Sequence, residues 1–297
     1  MTPLELTPVE IYAWRPYNIF LDEEQEFLQK SNFIHTGLYN GDKEICFIYT
    51  KYMDKFNVYL EEASENIQLC DTDVVLEDEV FHTSKIEGAR TTRIRTSEIH
   101  NGASLDKNNE FSEKMVKNGF RAVKLLNLYG NVLDEQKLLT IWNTLVDGVC
   151  ENESIRGERY RIGDVYVGSY NPPKAEDLPE LMGKFLKFYN GDYLNNYPFV
   201  KAALIHYIFE TIHPFCDGNG RMGRLLMNNY LISAGIESTK AVSFSMMIDQ
   251  NRSRYDVAFM DSENAYNDCT PFLEYMLSVM ANAYERAQIL QTRYLER

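Results

Sequence analysis

The chain has 297 residues, 44% of them hydrophobic and 25% charged, with a formal net charge of -14 and a pI of about 4.9. That length can bury a sizeable core, as one large domain or a domain with an extension. The acidic balance repels phosphate backbones and anionic lipid, which excludes general nucleic-acid binding and membrane-surface binding.

No apolar run approaches bilayer length, and the N-terminus is acidic and lacks a signal-peptide core. Five cysteines (Cys46, Cys70, Cys150, Cys216 and Cys269) are scattered without C-x-x-C spacing. This is the pattern of reduced thiols in a cytosol, not of a disulfide framework or a zinc site, so a cytoplasmic location is expected.

Residues 1–70 read as a mostly helical N-terminal extension. Trp14, Pro16 and Tyr17 suggest an irregular packing segment, and Asp22 to Lys30 a short helix. Phe47, Tyr49, Tyr52, Phe56 and Tyr59 lie in an aromatic-rich stretch from Asp42 to Ala63. The last four recur at helical spacing and predict one core-facing stripe, although Ile45 to Tyr49 alone also suits a strand.

Asp71 to Gly88 reads as an amphipathic helix. Asp71 to Asp73 offer N-caps, and Gly88 offers a stop. Thr91 to Gly102 is polar and reads as loop with a short helical turn. Asn109 to Tyr129 follows as a long helix, with Phe111, Met115, Phe120, Val123, Leu126 and Leu128 mostly on one side. Leu133 to Val149 forms another, burying Leu138, Leu139, Ile141, Trp142, Leu145 and Val146.

The strongest strand signal comes next. Tyr160 and Ile162, a Gly163-Asp164 turn, then Val165 and Val167 read as a hairpin. Leu178 to Tyr189 and Val200 to Ile212 are helical. His206 is expected to be a packing residue, because Pro214 breaks the helix before His213 could share a metal with it. Arg221 to Ala234 is expected to be the most buried helix. A polar helix runs from Asp249 to Met260, and Thr270 N-caps a last one, Pro271 to Leu295, with proline at its first position.

Thr211 to Leu225 carries the chemistry: T-I-H-P-F-C-D-G-N-G-R-M-G-R-L. Its loop feeds a helix N-terminus, whose first N–H groups lack internal acceptors and favour anions. Gly218 and Gly220 let backbone approach a ligand. Arg221 and Arg224, three apart, share the first turn, and guanidinium forks suit phosphate. Asp217 can hold magnesium, and His213 can accept a proton. A base, a metal ligand and an anion cradle in one loop describe phosphoryl or nucleotidyl transfer.

His213 to Arg224 resembles the Fic signature H-P-F-x-[D/E]-G-N-G-R-x-x-R at every specified position, and the upstream I-H-Y-I-F-E-T-I resembles the helix preceding it. The resemblance covers roughly Asp71 to Phe272. It implies an all-α helical bundle with a short β-hairpin flap: a core over 71–272 with the flap at 156–170 and the catalytic loop at 213–224, then a C-terminal helix over 273–297. It also implies transfer of AMP from ATP to a hydroxyl of a target protein laid along the flap, with Mg2+ on Asp217. His213 would be the base. Gly218, Asn219, Gly220, Arg221 and Arg224 would bind the phosphates, and Tyr255, with Asn264 a weaker candidate, would line the adenine pocket. Cys216 falls at the variable position, which implies a structural role.

Thr83-Ser84-Lys85-Ile86-Glu87-Gly88 resembles the family's inhibitory motif, [S/T]-x-x-x-E-[G/N], in a helix over 71–88. By this resemblance Thr83, Glu87 and Gly88 set the inhibition, and Glu87 takes the γ-phosphate's place on Arg224. A Doc-like kinase would need lysine where Gly220 stands. Removal of AMP by the same site and a non-enzymatic scaffold are the other readings. A homodimer is left open.

Overall fold

A computed structural model describes residues 33–40, 43–130, 132–168, 170–264 and 268–295. The segment around Trp14, Pro16 and Tyr17 and the helix expected over Asp22 to Lys30 lie outside the described residues. Among the described residues the fold is mostly helical, with one two-stranded antiparallel sheet. Among the described residues no helix is long and apolar enough to cross a membrane.

The sheet is not where the sequence places a hairpin. It joins β1 (Phe33–Asn40) and β2 (Lys43–Ile48), with Phe33 opposite Ile48. The strand alternative at Ile45 to Tyr49 is therefore the one realised. Ile45, Cys46 and Phe47 are all buried, on both faces of the strand. Cys46 accepts the Cys269 N–H at 2.8 Å, which ties the sheet to the chain's last helix. Helix α1 (Lys51–Glu65) starts only after Thr50, whose hydroxyl accepts the Met53 N–H. Its core stripe is Met53, Phe56, Leu60 and Ala63; Tyr52 and Tyr59 lie at its margins.

Helix α2 (Thr72–Ile86) ends at Gly88, whose φ of 89° only glycine adopts readily. Asp71 occupies its N-cap position without a side-chain cap bond. The segment read as loop with a turn is an eight-residue helix, α3 (Arg93–His100), because the Thr92 hydroxyl caps it on the Arg95 N–H. Helices α4 (Glu110–Tyr129) and α5 (Glu135–Val146) form as expected, except that Phe111 and Leu128 face outward.

Helices α6 (Leu178–Asn190), α7 (Pro198–Ile212) and α8 (Asn219–Ser233) follow. The most buried is α7, not α8: every residue from Phe199 to Ile212 except Glu210 is buried. The polar helix expected from Asp249 breaks at Asn251 into α9 (Phe244–Gln250) and α10 (Arg252–Asn264). In α11 (Thr270–Leu295) the first N–H is received by Asp268, so Thr270 opens the helix and does not cap it. Side chains from Leu38 to Tyr284 form the main core. Helix α2 rests on a small satellite cluster, where Val80 meets Val116 and Ile99, and packs Ile86 against the main core.

The hairpin expected at 156–170 does not form strands. One isolated bridge joins Val167 to Tyr170. The backbone of Arg161 bonds to Pro214 instead, and that of Ile162 to Ile155. The segment is held by the loop beside it and leaves Ile162, Tyr166 and Val167 exposed.

Candidate active site

Two helix ends make the site. Helix α7 stops at His213, which takes a left-handed conformation (φ 48°, ψ 58°) before Pro214. The chain re-enters a helix at Gly218, also left-handed. Phe215 anchors the loop between them, stacked on Trp142 with ring centroids 4.3 Å apart.

Every carbonyl from His213 to Gly218 accepts a hydrogen bond from the protein. Arg161 donates to His213 O through Nε at 2.9 Å and to Pro214 O through its backbone N–H. Asn219 donates to Phe215 O, Asn152 to Cys216 O and the Trp142 indole to Asp217 O. Met222 N–H closes the series on Gly218 O. Negative ends of the peptide dipoles are thus turned onto donors. The first N–H groups of α8 have no intrahelical acceptor and are left at the cavity end.

That cavity is roughly 450 Å³ and is lined by Glu87, Glu210, His213, Asp217, Gly220 and Tyr255, among others. Burial pushes the His213 imidazole down to about 4; the Glu210 backbone carbonyl opposes this, and the Arg161 charge adds to it. The ring is neutral at pH 7 and can take a proton. Asp217 accepts from Gly218 N–H and Arg221 through one oxygen, and from Glu151 N–H through the other.

Two expected phosphate ligands are placed otherwise. Asn219 closes the loop: its amide accepts from Phe215 N–H and donates to Phe215 O, leaving only its backbone toward an anion. Arg221 does not line the cavity. It is 3% exposed and bonds Leu145 O and Asp217, its i−4 neighbour, beside a separate apolar cavity under α2. Three residues on a helix differ by about 300°, so Arg221 and Arg224 lie some 60° apart, enough to face different neighbours.

Arg224, 2% exposed, does reach the cavity. Its Nε donates to the Thr83 hydroxyl at 2.8 Å and its terminal nitrogen to Glu87 Oε1 at 2.5 Å. Burial opposes ionisation of Glu87, but the Arg224 charge and hydrogen bond hold its carboxyl below the usual range. The same carboxylate lies against Gly220, where any Cβ would collide with it. A carboxylate thus occupies the N-terminus of α8. Asp249 fixes α2 through His82 and Lys85, both at 2.7 Å.

Tyr255 lines the cavity, and its hydroxyl meets His206 Nε2 at 2.8 Å. His206 is fully buried and held well below its ordinary pKa by that burial, as a packing histidine should be. The side chain of Asn264 lies outside the described residues. Sequence reasoning missed Arg161, Trp142 and Glu210. The Glu210 carboxyl, pushed up to about 8 by burial, sits 3.9 Å from His213 Nδ1. Its i, i+3 spacing from His213 on an apolar helix was a legible signal; Arg161 and Trp142 offered none.

Residues 132–231 match the model of the Fic/DOC family. A protein adenylyltransferase Fic from Drosophila willistoni is 33% identical over 208 residues, 66% of this chain and 38% of the relative. The chain therefore spans under two fifths of that relative's length. A Fic family protein from Desulfovibrio desulfuricans superposes with a TM-score of 0.72 at 22% identity, covering 82% of this chain and 76% of its own. Fic-1 (aa134–508) from C. elegans does so at 0.67 and 19%, covering 82% and 73%. These two likenesses speak for the fold alone.

Proposed function

Because this chain belongs to the Fic/DOC family, we propose that it is a protein adenylyltransferase, moving AMP from ATP to a hydroxyl of a target protein, and that its own Glu87 restrains it. The observation that carries this reading is the loop between α7 and α8. Its carbonyls are turned away, so a neutral imidazole, a carboxylate and a helix N-terminus face one cavity.

The target hydroxyl attacks the α-phosphorus and gives its proton to His213. The bond from that phosphorus to the bridging oxygen breaks, and pyrophosphate leaves with the electron pair. The N-terminal amides of α8 hold phosphate oxygens, and Arg224 binds the γ-phosphate once Glu87 withdraws. Arg221 keeps Asp217 in place. Catalysis is positioning and charge stabilisation. The exposed Ile162, Tyr166 and Val167 give an extended target segment apolar contacts.

Asp217 is the residue that would hold magnesium, and the donor set fits. A single carboxylate with substrate phosphates and water suits this ion, and among the described residues no group of three or more His, Cys, Asp or Glu forms a protein-only site. When bound, magnesium neutralises phosphate charge.

The test is incubation with α-labelled ATP, magnesium and a cell lysate. Label should appear on protein, and more of it with Glu87→Gly. No label from either form would overturn the reading. Excess chelator should stop transfer, and Asp217→Ala should lower it by about a hundredfold; undiminished transfer in chelator would remove Asp217 as a metal ligand.

The pH profile follows from His213. A base with a pKa near 4 is deprotonated at every higher pH, so acid should not disable it until far below its ordinary ~6.5. kcat/KM should show no His-like loss from pH 8 down to 5.5. An acid limb centred near 6.5 would contradict the neutral ring.

A further inference from the structure

The structure brings Cys150 and Cys216, far apart in sequence, to a sulfur–sulfur distance of 3.3 Å. We infer that these two thiols are a reversible disulfide-forming modification site beside the catalytic loop, oxidised by a small-molecule disulfide of the glutathione type.

Packing alone would make each a small apolar filler, but the surroundings add more. The two segments are laced together on either side of the sulfurs: Glu151 N–H donates to Asp217 at 3.0 Å and the Asn152 amide to Cys216 O at 3.1 Å. Backbones held this way need little movement to close a bond of about 2.0 Å. Access is also present. Cys150 is partly exposed, and Cys216 borders the cavity that holds His213 and Asp217. Cys46 and Cys269, by contrast, are buried, with the Cys269 thiol donating to Cys46 O.

The chemistry balances with one oxidant. The Cys150 thiolate attacks one sulfur of glutathione disulfide and expels one glutathione thiolate. The Cys216 thiolate then attacks the Cys150 sulfur and expels the second. Two protein thiols lose their protons and two electrons, and one glutathione disulfide becomes two glutathiones.

The link would join Cys216, the residue before Asp217, to the residue before Glu151. It would thereby hold the Asp217 carboxylate on the Glu151 amide. Resting on the adenylyltransferase reading, the expected consequence is loss of AMP transfer.

The purified full chain is treated with glutathione disulfide and digested without reduction, and its peptides are weighed. A Cys150–Cys216 cross-linked peptide, two hydrogens lighter than the reduced pair, should appear and should vanish on adding dithiothreitol. Cys150→Ser should not form it. In the Glu87→Gly background the oxidised protein should lose transfer at least about tenfold, as expected for a misplaced reacting group, and regain it on reduction; Cys150→Ser with Glu87→Gly should keep its rate under the same oxidant. Absence of the cross-link when the exposed Cys70 is already glutathionylated would overturn the proposal, as would a cross-linked protein that transfers at the full rate. If the reduced Glu87→Gly protein transfers nothing, the functional reading fails, and the peptide map still decides the disulfide.

Discussion

Replacing Glu87 with glycine is expected to raise AMP transfer, including self-modification, by about ten- to a hundredfold. Glu87 and Arg224 pair at 2.5 Å, and Thr83 steadies the same guanidinium. One charge-assisted contact of this kind is worth roughly 1.5–3 kcal/mol, and a misplaced α-phosphate costs about a hundredfold in rate. The carboxylate also lies against Gly220 at the N-terminus of α8, where substrate phosphate would sit. Its removal should therefore raise kcat more than it tightens ATP. Helix α2, whose C-cap is Glu87, rests on a satellite cluster, on Asp249 and, through Ile86, on the edge of the main core. The substitution leaves the buried Arg224 without its carboxylate, so the fold should survive with a lowered Tm. Arg224→Ala in the same background should cancel the gain, because both changes act on one site. Transfer that stays level or falls on a validated target would make Glu87 a plain helix-end residue or a participant in AMP removal.

His213→Ala, tested in the Glu87→Gly background so that transfer is measurable, should reduce transfer by about 10²–10⁴-fold, the range of a general base, while ATP binding stays within about twofold. The imidazole is neutral and lines the cavity, whereas the groups proposed to hold the phosphates are the N-terminal amides of α8 and its Arg224. The loop should survive the change, because its anchors are Phe215, Trp142, Asn219 and Arg161. Isothermal titration with ATP and a transfer assay on the same preparation separate the two effects. Wild-type rates in the alanine variant would end the proposed mechanism.

The local features of the site were legible before any coordinates. Pro214 ends α7 because a proline cannot continue the helix's hydrogen bonding. Gly218 permits the left-handed step that starts α8, and Gly88 the one that ends α2. The order of His213, Asp217, the glycines and Arg224 is a property of contiguous chain, so its chemistry could be read directly. The helix that carries Thr83 and ends at Glu87 followed from periodicity and the Gly88 stop.

What the sequence by itself determined was therefore most of the succession of helices, the breaks at Gly88 and Pro214, and the residue types gathered at one loop. Only the tertiary structure decided which way those residues face and what meets them. Arg221 and Arg224 look equivalent in the sequence, yet one is turned back to Asp217 and the other toward α2. Tyr160 to Val167 alternates like a strand, but Pro214 O takes the Arg161 N–H and the ladder never forms. Ile45 to Phe47 became a strand because β1 offered it a backbone partner, and Cys269, just ahead of α11, added one more bond at Cys46. Cys150 and Cys216 show no motif spacing, and become neighbours only through the packing of α5 and the loop. The physical reason is common to all four: backbone preference acts over a few residues, whereas side-chain direction, strand pairing and thiol proximity depend on groups brought together by burial of the whole core.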